Sequence, residues 1–154
     1  MKKSNLFLLT ILFAGLIFSG CGQKGCIDPS ADNYNADADK DDGSCTFPTI
    51  NVNTTTGDGD VTGAGGDATS TFTWNNTSTK AEFAMDLTSS NGGTLNLTLK
   101  DASGTEVLNK TLTAGVGDDS DSGQSSAGTV GDWTVTITLT DFNGDGSYSL
   151  DPVD

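Results

Sequence analysis

The chain reads as all-β, an antiparallel β-sandwich or jelly roll of seven to eight strands, and three observations predict it. Apolar residues recur with a period of two, most clearly in DWTVTITLT at 132–140, where Trp133, Val135, Ile137 and Leu139 fall on one side and four threonines on the other. No stretch of helical length carries a 3.6-residue apolar stripe. Short clusters of Gly, Asp and Asn separate the alternating stretches, as turns require. Composition pulls the other way, because Leu, Ile, Val and Phe make up only 22 of the 134 residues from Cys21 onward, and such scarcity with high net charge is a disorder signature. The strict alternation overrules it, since a disordered segment has no reason to keep a period.

Taken in order, Met1 to Cys21 combines Lys2 and Lys3, a 13-residue apolar run from Leu6 to Phe18, the small residues Ser19 and Gly20, and a cysteine. The run is too short to span a hydrocarbon layer, which takes about 20 residues, so 1–20 is expected to be an export signal peptide that is cleaved. Residues 21–25 form a short tether and 26–47 an acidic loop bracketed by Cys26 and Cys45. The remaining 48–154 form the β domain. Its expected strands are INVNTT at 50–55, STFTWN at 70–75, KAEFAMDLTS at 80–89, TLNLTLK at 94–100, EVLNKTLT at 106–113, DWTVTITLT at 132–140 and a closing SYSL. The Gly/Asp-rich GDGDVTGAGGD at 57–67 and the acidic Ser/Gly segment 114–128 are expected to be loops. DFNGDG at 141–146 is expected to be a hairpin turn, Asn91 to Gly93 another, and DASG at 101–104 a type I turn with Asp first and Gly fourth.

Charge narrows the function classes. The full chain carries -14, and loss of Lys2 and Lys3 with the signal makes the mature chain -16. Nineteen of the acids are Asp, two are Glu, and there is no Arg or His; Asp favours turns and cation ligation, Glu favours helix. The five remaining lysines, Lys24, Lys40, Lys80, Lys100 and Lys110, are scattered along the sequence, so nucleic acid is not an expected partner. Without His there is no Ser-His or Cys-His pair and no histidine metal site, and the Asp residues sit in polar turns, so the chain is not expected to be an enzyme.

Several stretches resemble known families. Residues 1–21 resemble the bacterial lipoprotein signal, which implies lipidation of Cys21, attachment to the membrane through that lipid, and an envelope location, most simply the outer membrane, since Gly22 follows the cysteine. With Cys21 committed to lipid, Cys26 and Cys45 remain as one pair; a disulfide there closes a loop of about 20 residues, worth roughly 3 kcal/mol by chain entropy. GCIDPSADNYNADADKDDGSCTF, Gly25 to Phe47, resembles a short cysteine-bracketed module of surface and secreted proteins of Gram-negative bacteria. From Phe83 to Leu150 the chain more loosely resembles the bacterial pre-peptidase C-terminal type of β-sandwich, through LNLTLKDASGTEV, a Gly-Asp-Trp before an alternating strand, and GDGSYSL. That resemblance implies a non-catalytic appendage.

Calcium is the expected cofactor. In DADKDDG, Asp37, Asp39, Asp41 and Asp42 could converge on a hard cation, which takes six to eight oxygens, although the glycine falls one place later than in an EF-hand loop and the closing glutamate is missing. The alternative is a solvated loop whose acids form turns. In DFNGDG, Asp141, Asn143 and Asp145 fit the start of the same pattern, against the alternative of a plain Gly/Asp connection. Asp118, Asp119 and Asp121 form a further, solvated cluster. Trp74, Trp133, Phe72 and Tyr148 could stack on sugars if exposed, but their periodicity assigns them to the core.

The expected function is adhesion or ligand recognition by a lipid-anchored, calcium-stabilised, non-catalytic β domain, with a glycan or an envelope protein as ligand. The competing readings are a structural envelope module and an accessory subunit of a secreted enzyme or transporter. An exposed apolar or aromatic patch favours recognition, and uniformly Thr, Asp and Asn outer faces favour the structural reading.

Overall fold

A computed structural model describes residues 22–115 and 117–154. The expected signal peptide and Cys21 lie outside the described residues. These hold nine strands and no helix: β1 (Lys24–Gly25), β2 (Lys40–Asp41), β3 (Thr49–Val52), β4 (Gly59–Asn76), β5 (Lys80–Ser89), β6 (Gly93–Lys100), β7 (Glu106–Ala114), β8 (Gly117–Gln124) and β9 (Gly131–Val153). Strands β3 to β9 make one seven-stranded antiparallel sheet, while β1 and β2 form a small parallel pair.

Two strands organise the sheet. β4 and β9, 18 and 23 residues long, pair with each other along almost the whole of β4. The first half of β9 also pairs with β6, which carries β7 on its far side, and the second half pairs with β5, which carries β8. One sheet thus folds over on itself, and its inward side chains meet in a single core that includes Trp74, Phe83, Leu87, Leu97, Trp133, Ile137, Phe142 and Leu150. The edge strands are joined across the fold by an ion pair between Lys110 of β7 and Asp121 of β8, at 2.8 Å.

The bend corrects three expectations. GDGDVTGAGGD is mostly strand, because β4 begins at Gly59; DFNGDG is no hairpin but lies inside β9; and β8 runs through the expected loop 114–128. The first two segments pair with each other, with register shifts between Ala64 and Gly66 and between Gly66 and Ala68. Bulges of this kind sharpen the local bend and twist. Asp141 at the corner has φ 47°, the only positive φ among described non-glycine residues, and its N–H donates to Asp67 Oδ1 at 2.8 Å. Close packing then demands glycine: a Cβ on Gly144 would sit 2.1 Å from the Thr88 carbonyl oxygen. A composition that reads as a loop is here the composition of a strand bent tightly against its neighbour.

The stapled module is bound to the β domain. Cys26 and Cys45 form a disulfide. Asp32, inside that loop, turns its Oδ1 to the β4 bulge and accepts from the N–H groups of Ala64 at 2.8 Å and Gly66 at 3.0 Å, while Asp67 N–H donates to the Ser30 carbonyl at 2.8 Å. Lys24 and Gly25, expected in the tether, pair with Lys40 and Asp41. Asp32→Ala should therefore cost about 2 kcal/mol, the range for hydrogen bonds to a charged acceptor. Amide exchange at Ala64 and Gly66 should accelerate in that variant; unchanged protection would show that the carboxylate does not hold the module.

Candidate functional site

The fold exposes two outer faces with different chemistry. On the half built from the C-terminal part of β4, the N-terminal part of β9, β6 and β7, the inward positions are mostly core, with Lys110 of the edge strand β7 the charged exception. The outward positions fall into rows: Thr69–Thr138–Asn96–Thr111, Thr71–Thr136–Thr98–Asn109, and Thr140–Thr94–Thr113. All eleven are uncharged, nine of them threonine. Lys100 and Glu106 stand at one end, in the row with Thr73 and Thr134. The array is cross-linked. Thr71 and Thr136 hydroxyls lie 3.2 Å apart and those of Thr69 and Thr138 3.4 Å, while Asn96 Nδ2 donates to Asn109 Oδ1 at 2.9 Å and to Thr111 Oγ1 at 2.8 Å.

The other outer face is acidic. Asn51, Asp60, Ser147 and Asp86 form a row across β3, β4, β9 and β5. A shallow groove of about 510 Å³ is lined by Asn51, Asn53, Asp58, Asp60, Ser147 and Ser149. It continues through Asp60 and Ser147 into a hollow of about 280 Å³ that includes Asp86, Thr88 and Asp145. Tyr148 also borders the groove but turns its ring to the core side, where a Cβ on Gly59 would lie 2.4 Å from its Oη. Its hydroxyl has no hydrogen-bond partner, and burial, with Asp58 and Asp60 nearby, pushes its pKa up to about 12.

The expected cation ligands are placed differently from one another. Asp41 Oδ1 accepts from Gly43 N–H at 2.9 Å, and Asp42 Oδ1 from Ser44 N–H at 3.0 Å; Asp37 donates its own N–H to Asn35 Oδ1. Asp39 N–H donates to the Gln23 carbonyl. The Ser44 hydroxyl and N–H hold the Asp42 carboxyl below its ordinary range, and Ser30 does the same for Asp28. The carboxylates of Asp28, Asp41 and Asp42 thus fill the role of turn acceptors. In β9, Asp141 holds the corner, Asn143 receives the Ser90 hydroxyl on its Oδ1, and Asp145 faces the acidic hollow. Among the described residues no three His, Cys, Asp or Glu side chains are grouped so as to hold a metal ion. On the acidic face the reason is spacing: Asp60 and Asp86 stand two strands apart with Ser147 between them, roughly 9–10 Å at the usual strand separation.

Two other candidates are settled by burial. Trp133 and Tyr148 are 0% and 2% exposed, and Trp74 and Phe72 are 2% and 9%, so these rings form core and no sugar-stacking platform. Of the acids in the 114–128 segment, Asp119 Oδ2 accepts from Gly115 N–H at 2.7 Å and Asp121 pairs with Lys110. The threonine rows are the feature that reading along the sequence missed. Alternation of threonine was visible in each strand, but the alignment of strands into a lattice was not.

The class of protein so defined is a disulfide-stapled, all-β domain with a single folded antiparallel sheet, one neutral outer face and one acidic outer face. No known protein family matches the chain, and no curated protein is significantly similar to it.

Proposed function

We propose that the protein is a lipid-anchored envelope protein whose β domain, a non-catalytic β-sandwich, serves adhesion or ligand recognition through an outer sheet face. The observation that carries the reading is the segregation of charge. A chain of net charge -14 keeps eleven contiguous outward positions free of charge, although surface solubility alone favours mixed charge everywhere. The sequence from Met1 to Cys21 supports the anchor: a cleaved signal would leave Cys21 to carry acyl chains, and more than one chain makes attachment stable at about 0.8 kcal/mol per buried CH₂. Asp41 and Asp42, two of the four acids expected to hold calcium, accept from backbone N–H groups, so the reading leans less on calcium than on the neutral face. A purely structural envelope module is the second reading, favoured by the absence of exposed aromatic rings from both outer faces of the described β domain.

Two measurements test the proposal. Radioactive palmitate should label the wild type in cells and leave Cys21→Ala unlabelled; an unlabelled wild type would remove the anchor. Full-length protein in detergent micelles, immobilised as bait against extracellular glycans, whole cells and ordered surfaces, should retain a ligand that a charge placed in the threonine rows releases. Retention unaffected by such a charge, or no retention at all, would leave the structural reading in its place.

A further inference from the structure

The neutral face has properties that restrict its ligand, and this inference rests on the adhesion reading above. Its side chains repeat in two directions, about 4.8 Å from strand to strand and about 6.7 Å between alternate residues along a strand. Cross-strand hydroxyl pairs such as Thr71 with Thr136, at 3.2 Å, fix the side chains before any ligand arrives, which lowers the entropic cost of binding. Beneath them Val135, Ile137 and Leu139 are fully buried, so the rows stand on packed core.

Three ligand classes fit poorly. A charged ligand finds no counter-charge in the central rows. Protein interfaces concentrate aromatic residues, Met and Arg at their centres, and this face has none. A sugar surface calls for exposed rings, whereas Trp74 and Trp133, from the same two strands, point inward. What remains is an extended, uncharged lattice of hydrogen-bonding groups. Each threonine offers one hydroxyl to such a lattice and one methyl, and first-shell water around a methyl already has restricted orientational freedom. Hydroxyl and methyl groups repeating together present a two-dimensional pattern that a lattice of ordered water can meet row by row and a single soluble molecule cannot.

We propose that the threonine face formed by β4, β6, β7 and β9 binds ice. An anchored protein with this face would fasten its cell to an ice surface or arrest the growth of ice at the envelope.

The test uses the full chain in detergent micelles, frozen slowly onto a cooled probe, with protein measured in the ice and in the remaining liquid. Wild-type protein should enter the ice several-fold more than serum albumin in the same micelles, and Thr136→Lys should fall to the albumin level. Ser147→Lys, on the acidic face, should behave as wild type. Melting curves establish that the variants are folded, and if Thr136→Lys is not, Thr111→Lys on the exposed outer strand β7 carries the same expectation. Wild-type exclusion equal to albumin, or undiminished uptake of folded threonine-face variants, overturns the proposal. Sedimentation with crystalline cellulose or chitin without uptake into ice also overturns it while leaving the adhesion reading intact; loss of palmitate labelling bears on the anchor alone.

Discussion

Trp133→Ala should lower stability by about 3–5 kcal/mol, the usual cost of truncating a large buried aromatic side chain. Trp133 is fully buried, its ring meets Trp74 edge to face with centroids 6.2 Å apart at 90°, and its Nε1 donates to the Thr129 carbonyl at 2.7 Å. The substitution leaves a cavity under the central strand, strips Trp74 of its aromatic partner and leaves that carbonyl with only the longer bond from the Ala102 N–H, at 3.3 Å. Set against a typical domain stability of about 5–15 kcal/mol, the loss consumes a large share and should lower the melting temperature by roughly 10–20 °C. Thermal unfolding followed by circular dichroism measures it. A shift of only a few degrees would show that the indole is not central to the core.

Asp101→Asn should weaken the fold at neutral pH and flatten its response to acid. Asp101 is a buried carboxylate that accepts four hydrogen bonds: Oδ1 from Ser103 N–H, Ser103 Oγ and Thr105 N–H, and Oδ2 from Thr129 N–H. It fixes the DASG turn and ties that turn to the strand entering Trp133. The Ser103 hydroxyl, followed by the Thr129 N–H, pulls its pKa down to about 2 from 3.8. Because the folded value lies below the unfolded one, the contribution is complete above about pH 4 and is lost as the pH falls from about 4 towards 2. The wild-type melting temperature should therefore drop across that interval. Asp101→Asn, which keeps the shape but not the charge, should melt lower at pH 7 and show a shallower drop below pH 4. The slope will not vanish, since Asp28 and Asp42 are also held below the ordinary carboxylate range. An acid limb as steep in the variant as in the wild type would remove Asp101 from this role.

Much of the fold was legible along the chain. Alternation placed Phe83, Met85 and Leu87, then Leu95, Leu97 and Leu99, then Trp133, Val135, Ile137 and Leu139 on the inward side, and each is buried. The DASG turn is present, with Gly104 N–H donating to the Asp101 carbonyl at 2.8 Å. The second carboxylate oxygen of Asp101, reaching 28 residues along the chain to Thr129, was not legible, because nothing local to either residue marks the other. The candidate cation ligands illustrate the same limit. Alternate carboxylates show that a loop could wrap an ion, but Asp41 and Asp42 accept from the N–H groups of Gly43 and Ser44, a turn role that the same spacing serves equally well.

By itself the sequence determined the all-β class, the inward face of most strands, the pairing left to Cys26 and Cys45 once Cys21 is assigned to lipid, and the excess of negative charge. These follow from residue period, residue chemistry and counting, all local properties. Only the tertiary structure decided that β4 and β9 run on through segments rich in Gly and Asp, since a loop and a tightly bent strand both call for residues with little or no side chain. It also decided that threonines from four strands stand in register. Register is a relation between distant segments, set by the bend and by the core beneath, and it turned an unremarkable alternation into a surface with a lattice.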